Sequence, residues 1–157
     1  EAMADVDTPF TPAIGIVIAL NESLRRMKQE GLPHLFAYYA RLAKGTREAA
    51  KALGLSIFPD ESCLSNVLTA IKLPAEVDGN KVVKIMRDTY GISVAGGQDT
   101  LKGKIIRIAH MGCVDEYDIL TGIACLEKVL LKLGYKFTPG AGIAAAQKVF
   151  IAQRSTY

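Results

Sequence analysis

The chain has 157 residues, half of them apolar and 22% charged, with a formal net charge of +3. That length can bury a core without disulfides or metal, and the composition is globular, so disorder is not the default expectation. The 19 basic and 16 acidic side chains are scattered with no block of like charge, so neither nucleic acid nor a membrane surface is an expected partner.

In chain order, the first element is a long helix within "TPFTPAIGIVIALNESLRRMKQEGLP". Thr11 is a good N-cap, Pro12 suits the first helical position, and Gly31 followed by Pro33 stops the helix. The longest apolar run, Ala13 to Leu20, falls far short of a membrane span, which needs about 20 residues. No basic leader precedes it, and the expected location is cytoplasmic. The apolar positions Ile14, Val17, Ile18 and Leu24 are expected to drive self-association of the isolated chain.

A second helix is predicted from about Pro33 to Leu53, with Leu35, Tyr38, Leu42, Ala49 and Leu53 at helical steps and Gly54 closing it. Then the period changes. Leu55 to Phe58 and Val67 to Leu73 are short, rich in branched residues and bounded by Pro59 and Pro74, as strands are. Asp78 caps a helix that carries Val82, Val83, Met86 and Tyr90 on one face and ends at Gly91. A strand from Ile92 to Ala95, a glycine-bearing loop and a strand from Lys104 to His110 follow. Asp115 caps a long helix through Ile119, Ile123, Leu126, Leu130 and Leu133, ended by Gly134, and the tail forms one more helix that packs back or reaches a neighbour. The order predicts an α+β fold, a two-layer sandwich with a small antiparallel or mixed sheet, helices on one face and a long N-terminal helix before it.

Arg107 is the residue this outline leaves unexplained. On a strand it shares a face with Ile105 and Ala109, while Ile106, Ile108 and His110 take the other. One reading makes it a solvated or salt-bridged residue on the open side of an antiparallel sheet. The other makes it a rigid planar fork for a carboxylate, which a lysine could not reproduce. Gly96 and Gly97 before the strand, and Gly112 after it, permit close approach of backbone or ligand, or mark a plain hairpin with a bulge.

The other reactive residue types form no set. Cys63, Cys113 and Cys125 are odd in number and show no C-x-x-C spacing, so reduced thiols are expected. His34 and His110 are far apart, which assembles no metal site and leaves His110 as a partly buried structural residue.

Three stretches together carry a family resemblance: "TPFTPAIGIVIALNESL", "EGLPHLFAYYARLAKGTREAAKALGL" and "GGQDTLKGKIIRIAHMG". From Thr8 to about Gly134 the chain resembles the C-terminal small domain of class V aminotransferases, pyridoxal-phosphate enzymes of the serine–pyruvate and alanine–glyoxylate type. The resemblance implies residues 1–31 as loop and connecting helix, 32–134 as the small domain and 135–157 as an extra helical tail. It implies that Arg107 binds the substrate α-carboxylate. It also implies that Thr11 reaches the phosphate of pyridoxal 5′-phosphate held by the partner subunit of a homodimer, a role compatible with capping a helix.

No residue here matches the lysine that binds the cofactor covalently, which lies in the family's large domain upstream; Lys102 and Lys104 are expected as loop or surface charges. The chain alone is therefore expected to be inactive, while its parent exchanges amino groups between amino acids such as serine or alanine and 2-oxo acids such as glyoxylate or pyruvate. Some relatives of this type carry a soluble-hydrogenase name, and the cysteines here offer no cluster for iron or nickel. The rival reading is a free-standing α+β ligand-binding or regulatory module that pairs with a separate subunit. An RNA-binding sheet would need exposed strand aromatics, and Phe58 stands alone.

Overall fold

A computed structural model describes residues 10–152. The chain divides into two compact units, Glu1–Ala37 and Tyr38–Tyr157.

In the first unit, helix α1 runs Ile14–Glu30. It starts later than Thr11 and Pro12 foretell. The Ile14 N–H closes a tight turn onto the Pro12 carbonyl, and the first carbonyl of the helical ladder is that of Ala13, which accepts from Ile16 and Val17. Ala13 is thus the N-cap, without a side-chain bond, and Thr11 caps nothing. At the other end Gly31, at φ 88°, donates to the Met27 carbonyl and closes the helix. No residue of α1 is buried, and Ile14, Ile16, Val17, Ile18 and Leu20 are all exposed. Glu22 accepts from both Arg25 and Arg26, and their hydrogen bonds hold its carboxyl down to about 2.

Helix α2 spans Leu32–Ala52, so Pro33 sits inside its first turn, where its missing N–H costs nothing, rather than beyond a stop. Gly54 at φ 77° ends it, with the Leu55 N–H reaching back to the Ala50 carbonyl.

The second unit is built on a four-stranded antiparallel sheet of β1 (Ser56–Ile57), β2 (Leu68–Lys72), β3 (Ala95–Gly96) and β4 (Ile105–Ala109), in the order β1-β2-β4-β3. Helices α3 (Gly79–Tyr90) and α4 (Glu116–Lys132) pack against it. Both begin at aspartates that satisfy otherwise orphaned amides. Asp78 accepts from the Asn80 N–H, and Asp115 accepts from Tyr117 and Asp118 while Asp118 returns a bond to the Asp115 N–H.

Paired residues of antiparallel strands face the same way, so Ile71 with Ile106 and Thr69 with Ile108 look toward the helices. There Ile71 and Ile106 join Leu53, Val82, Met86, Leu126 and Leu130 in the main core. Each such side chain contributes roughly 1.5–3 kcal/mol when fully buried. His110 ends this row fully enclosed, more buried than its sequence foretells, with Nε2 bonded to Thr69 Oγ1 at 3.1 Å and Nδ1 near the Asn66 carbonyl. Burial pushes its pKa below the usual 6.5 and favours the neutral ring.

The tail helix α5 (Ala141–Ala152) packs back on α4. Two local features seat it. The buried Glu127 carboxylate of α4 accepts from the backbone N–H groups of Gly140 (2.6 Å), Gly142 (2.9 Å) and Ile143 (3.3 Å), capping α5 from a neighbouring helix. The Phe150 ring lies where a Cβ on Gly45 of α2 would stand, so that glycine lets the ring sink against the α2 backbone. Arg41 completes the junction with an ion pair to Glu116 at 2.8 Å, its guanidinium 5.4 Å from the Phe150 ring centroid.

Candidate functional site

Arg107 occupies the middle of β4, an internal strand paired on one side with β2 and on the other with β3. Its direct cross-strand neighbours are Ala70 and Ala95, and the next residue along its own face toward the strand end is Ala109. Three small side chains around a long one leave the guanidinium standing over open space, on the face away from α3 and α4. A depression of about 410 Å³ lies there, lined by Leu68, Ser93, Val94, Ala95, Arg107 and Ala109.

The guanidinium is half-buried, and its Nε donates to the Gly96 carbonyl at 3.0 Å. No carboxylate among the described residues forms an ion pair with it. An arginine anchored through Nε keeps both terminal NH₂ groups available, and these are the pair that meets a carboxylate with two parallel hydrogen bonds. Apart from Arg107, the lining carries no charge and one side-chain hydroxyl, Ser93.

Ser93 and Val94 escape a purely sequential reading. The strand expected over Ile92–Ala95 is in fact Ala95–Gly96. Ile92 is committed elsewhere: its N–H closes the end of α3 on the Met86 carbonyl, so the segment after it runs as irregular backbone along the depression. The cue was Gly91, in the left-handed conformation that places the following residue in a helix cap.

Thr11 belongs to the first unit, exposed and just ahead of α1. Its hydroxyl makes no bond to the helix, and a hydroxyl beside a helix N-terminus is chemically suited to an anion. Lys102 and Lys104 are exposed on the turn leading into β4, as expected of surface charges. Cys63 and Cys113 are exposed and Cys125 half-buried, all as free thiols. Among the described residues no three His, Cys, Asp or Glu side chains converge, and no helix is long and apolar enough to cross a membrane.

A four-stranded antiparallel sheet packed against two helices matches the small-domain fold of an aminotransferase. Comparison with known proteins agrees. No family model matches the chain. It is 46% identical over 143 residues to the soluble hydrogenase small subunit of Synechococcus sp. (strain PCC 6716), covering 90% of this chain and 37% of that protein. It is 37% identical over 139 residues to the serine–glyoxylate aminotransferase of Arabidopsis thaliana, covering 88% and 35%. Among solved structures, the pyridoxamine–pyruvate aminotransferase of Mesorhizobium loti superposes with a TM-score of 0.87 at 30% identity, covering 93% of this chain and 38% of that one. The chain belongs to the class V aminotransferases, and it spans little more than a third of the length of the relatives it matches.

Proposed function

We propose that this chain is the substrate-carboxylate-binding domain of a pyridoxal-phosphate-dependent aminotransferase that moves an amino group between serine or alanine and glyoxylate or pyruvate. The observation that carries the reading is Arg107: a guanidinium fixed at Nε, with no carboxylate partner among the described residues, over a depression with no other charge. A site of that kind suits a small, singly charged organic acid whose remaining atoms are apolar or weakly polar.

In this reading Arg107 orients the substrate by its carboxylate and takes no part in proton transfer, so its contribution is positional. The apolar walls from Leu68, Val94 and Ala109 lower the polarity beside the ion pair and strengthen it. Pyridoxal 5′-phosphate, when bound in the complete enzyme, supplies the electron sink for amino exchange. This chain's residues fit it only at the phosphate, through the exposed Thr11 hydroxyl beside the α1 N-terminus. Lys102 and Lys104, both exposed, do not form a pocket that would enclose the ring. A large cofactor-bearing domain and a second copy in a homodimer are accordingly the proposed partners, and the chain alone is inactive. The wholly unburied apolar surface of α1 supports docking to further polypeptide.

The test is Arg107→Lys in the complete enzyme. KM for the amino donor rises at least about tenfold through loss of the bidentate geometry, with the cofactor absorbance intact; an unchanged KM removes Arg107 from the site. Treated with pyridoxal phosphate and borohydride, the isolated chain takes up no stoichiometric label, and a specific lysine adduct would refute the assignment of the cofactor to another domain. Micromolar amino acid binding by the isolated chain would instead favour the free-standing module.

A further inference from the structure

We infer that Gly97 is a positioning residue for Arg107, acting through the Gly96 carbonyl; the inference rests on the reading of Arg107 as the carboxylate-binding group. Strand β3 is only two residues long, and its last tie to β4 is the Gly97 N–H donating to the Ile105 carbonyl at 3.1 Å. Within that short ribbon the Gly96 carbonyl accepts from Arg107 Nε. One bond at Nε fixes the rotation of the guanidinium plane, and a two-point grip on a carboxylate requires that plane to be set.

The turn that follows, Asp99–Leu101, folds back over Gly97. Its own bonds are Leu101 N–H to the Gln98 carbonyl at 2.8 Å, Lys102 N–H to the Asp99 carbonyl at 3.2 Å and Lys104 N–H to the Leu101 carbonyl at 3.0 Å. The Leu101 carbonyl comes to rest against the Gly97 Cα. A Cβ at 97 would overlap the Leu101 oxygen, stand 2.6 Å from its carbonyl carbon and approach Ile105 Cγ1 at 3.0 Å. The obstacle is backbone, so no rotamer relieves it. Gly97 is not among the residues of positive φ, which means that space and not a left-handed conformation is what the position demands. The turn has little slack to give, since Asp99 already sits at φ 45°.

Gly96 behaves differently. A Cβ there would meet only Val83 Cγ2, at 3.7 Å, an ordinary contact. Two adjacent glycines thus separate cleanly: alanine is accommodated at 96, whereas at 97 the peptide that carries the Gly96 carbonyl has to turn, taking the acceptor away from Arg107.

The experiment follows the Arg107 Nε–H by NMR in the ¹⁵N,¹³C-labelled chain. In the parent sequence this proton exchanges slowly with solvent and shows a through-bond coupling to the Gly96 carbonyl carbon. Gly96→Ala keeps both signatures. Gly97→Ala loses the coupling and speeds exchange at least about tenfold, the equivalent of one hydrogen bond. In the complete enzyme Gly97→Ala raises KM for the amino donor about tenfold while kcat moves far less. The inference is overturned if the parent Nε–H exchanges like that of free arginine, if Gly97→Ala leaves it protected, or if both variants behave alike. Should Gly97→Ala fail to fold, the parent coupling and the Gly96→Ala spectrum still decide. The two readings fail separately: an unchanged KM in Arg107→Lys, with the NMR pattern intact, sinks carboxylate binding and leaves the link between Gly97 and Arg107 standing.

Discussion

Removing the Glu127 carboxylate should undo the seating of α5. The side chain is nearly inaccessible and accepts from three backbone N–H groups, two of them at 2.6 and 2.9 Å. Glu127→Ala leaves these donors without a partner in a place water reaches poorly. Counting the two short bonds at the low end for a charged acceptor, about 1.5 kcal/mol each, gives a loss of about 3 kcal/mol. Glu127→Gln keeps one acceptor oxygen but forfeits the charge that complements the helix N-terminus, so about half that loss is expected. For a chain of this size a loss of 3 kcal/mol corresponds to a fall in Tm of roughly 6–12 °C. The assay is a thermal melt paired with native-state hydrogen exchange, which separates global unfolding from detachment of α5 alone. In the latter case amides of Ala146 and Phe150 lose protection first, because those two residues are buried only while α5 is docked. A Tm within 1 °C of the parent, with α5 amides still protected, would refute the cap.

Arg41→Ala removes the ion pair to the largely buried Glu116 carboxylate and should cost about 3 kcal/mol by urea denaturation; the pair Arg41→Met with Glu116→Gln should recover most of it, and a double-mutant cycle with no coupling would dismiss the ion pair. His110 gives a pH dependence of definite sign. Its folded pKa lies below 6.5, so the unfolded chain binds the proton first, and the contribution present above pH 6.5 is lost as pH falls through that value toward the folded pKa. Urea midpoints at pH 7.5 and 5 should therefore diverge in the parent and converge in His110→Gln; equal divergence would assign the acid sensitivity elsewhere. Asp115→Ala removes the acceptor of two amides at the start of α4 and should lower stability by about 1 kcal/mol, read as a Tm shift of a few degrees.

Caps were the most legible part of this fold. Asp78, Asp115, Gly54 and Gly91 end or begin elements where the sequence places them, because a cap is chemistry between residues two to five apart. The same local logic fails where two local motifs compete. At Thr11 a turn closed on the Pro12 carbonyl displaces the cap, and at Ile92 the end of α3 claims a residue that branching assigns to a strand. Arg107 stood out because a guanidinium in an apolar strand has no role in filling a core. That it has no acidic partner among the described residues, and that its Nε is held by Gly96, are properties of strands brought together across the sheet. Gly45 and Glu127 were silent for a related reason: each matters through α5, about a hundred residues away for Gly45 and a full loop away for Glu127.

Strand β4 serves two masters at adjacent positions. Ile106 is sealed in the core, and Arg107 faces the opening one peptide later. With neighbours bonded on both edges, the strand has no freedom to swing its charge toward an arriving ligand. Travel of the backbone that carries that guanidinium must be shared by the sheet around it, so a displacement of its anchor would register as motion of a rigid block and not as the flexing of a loop.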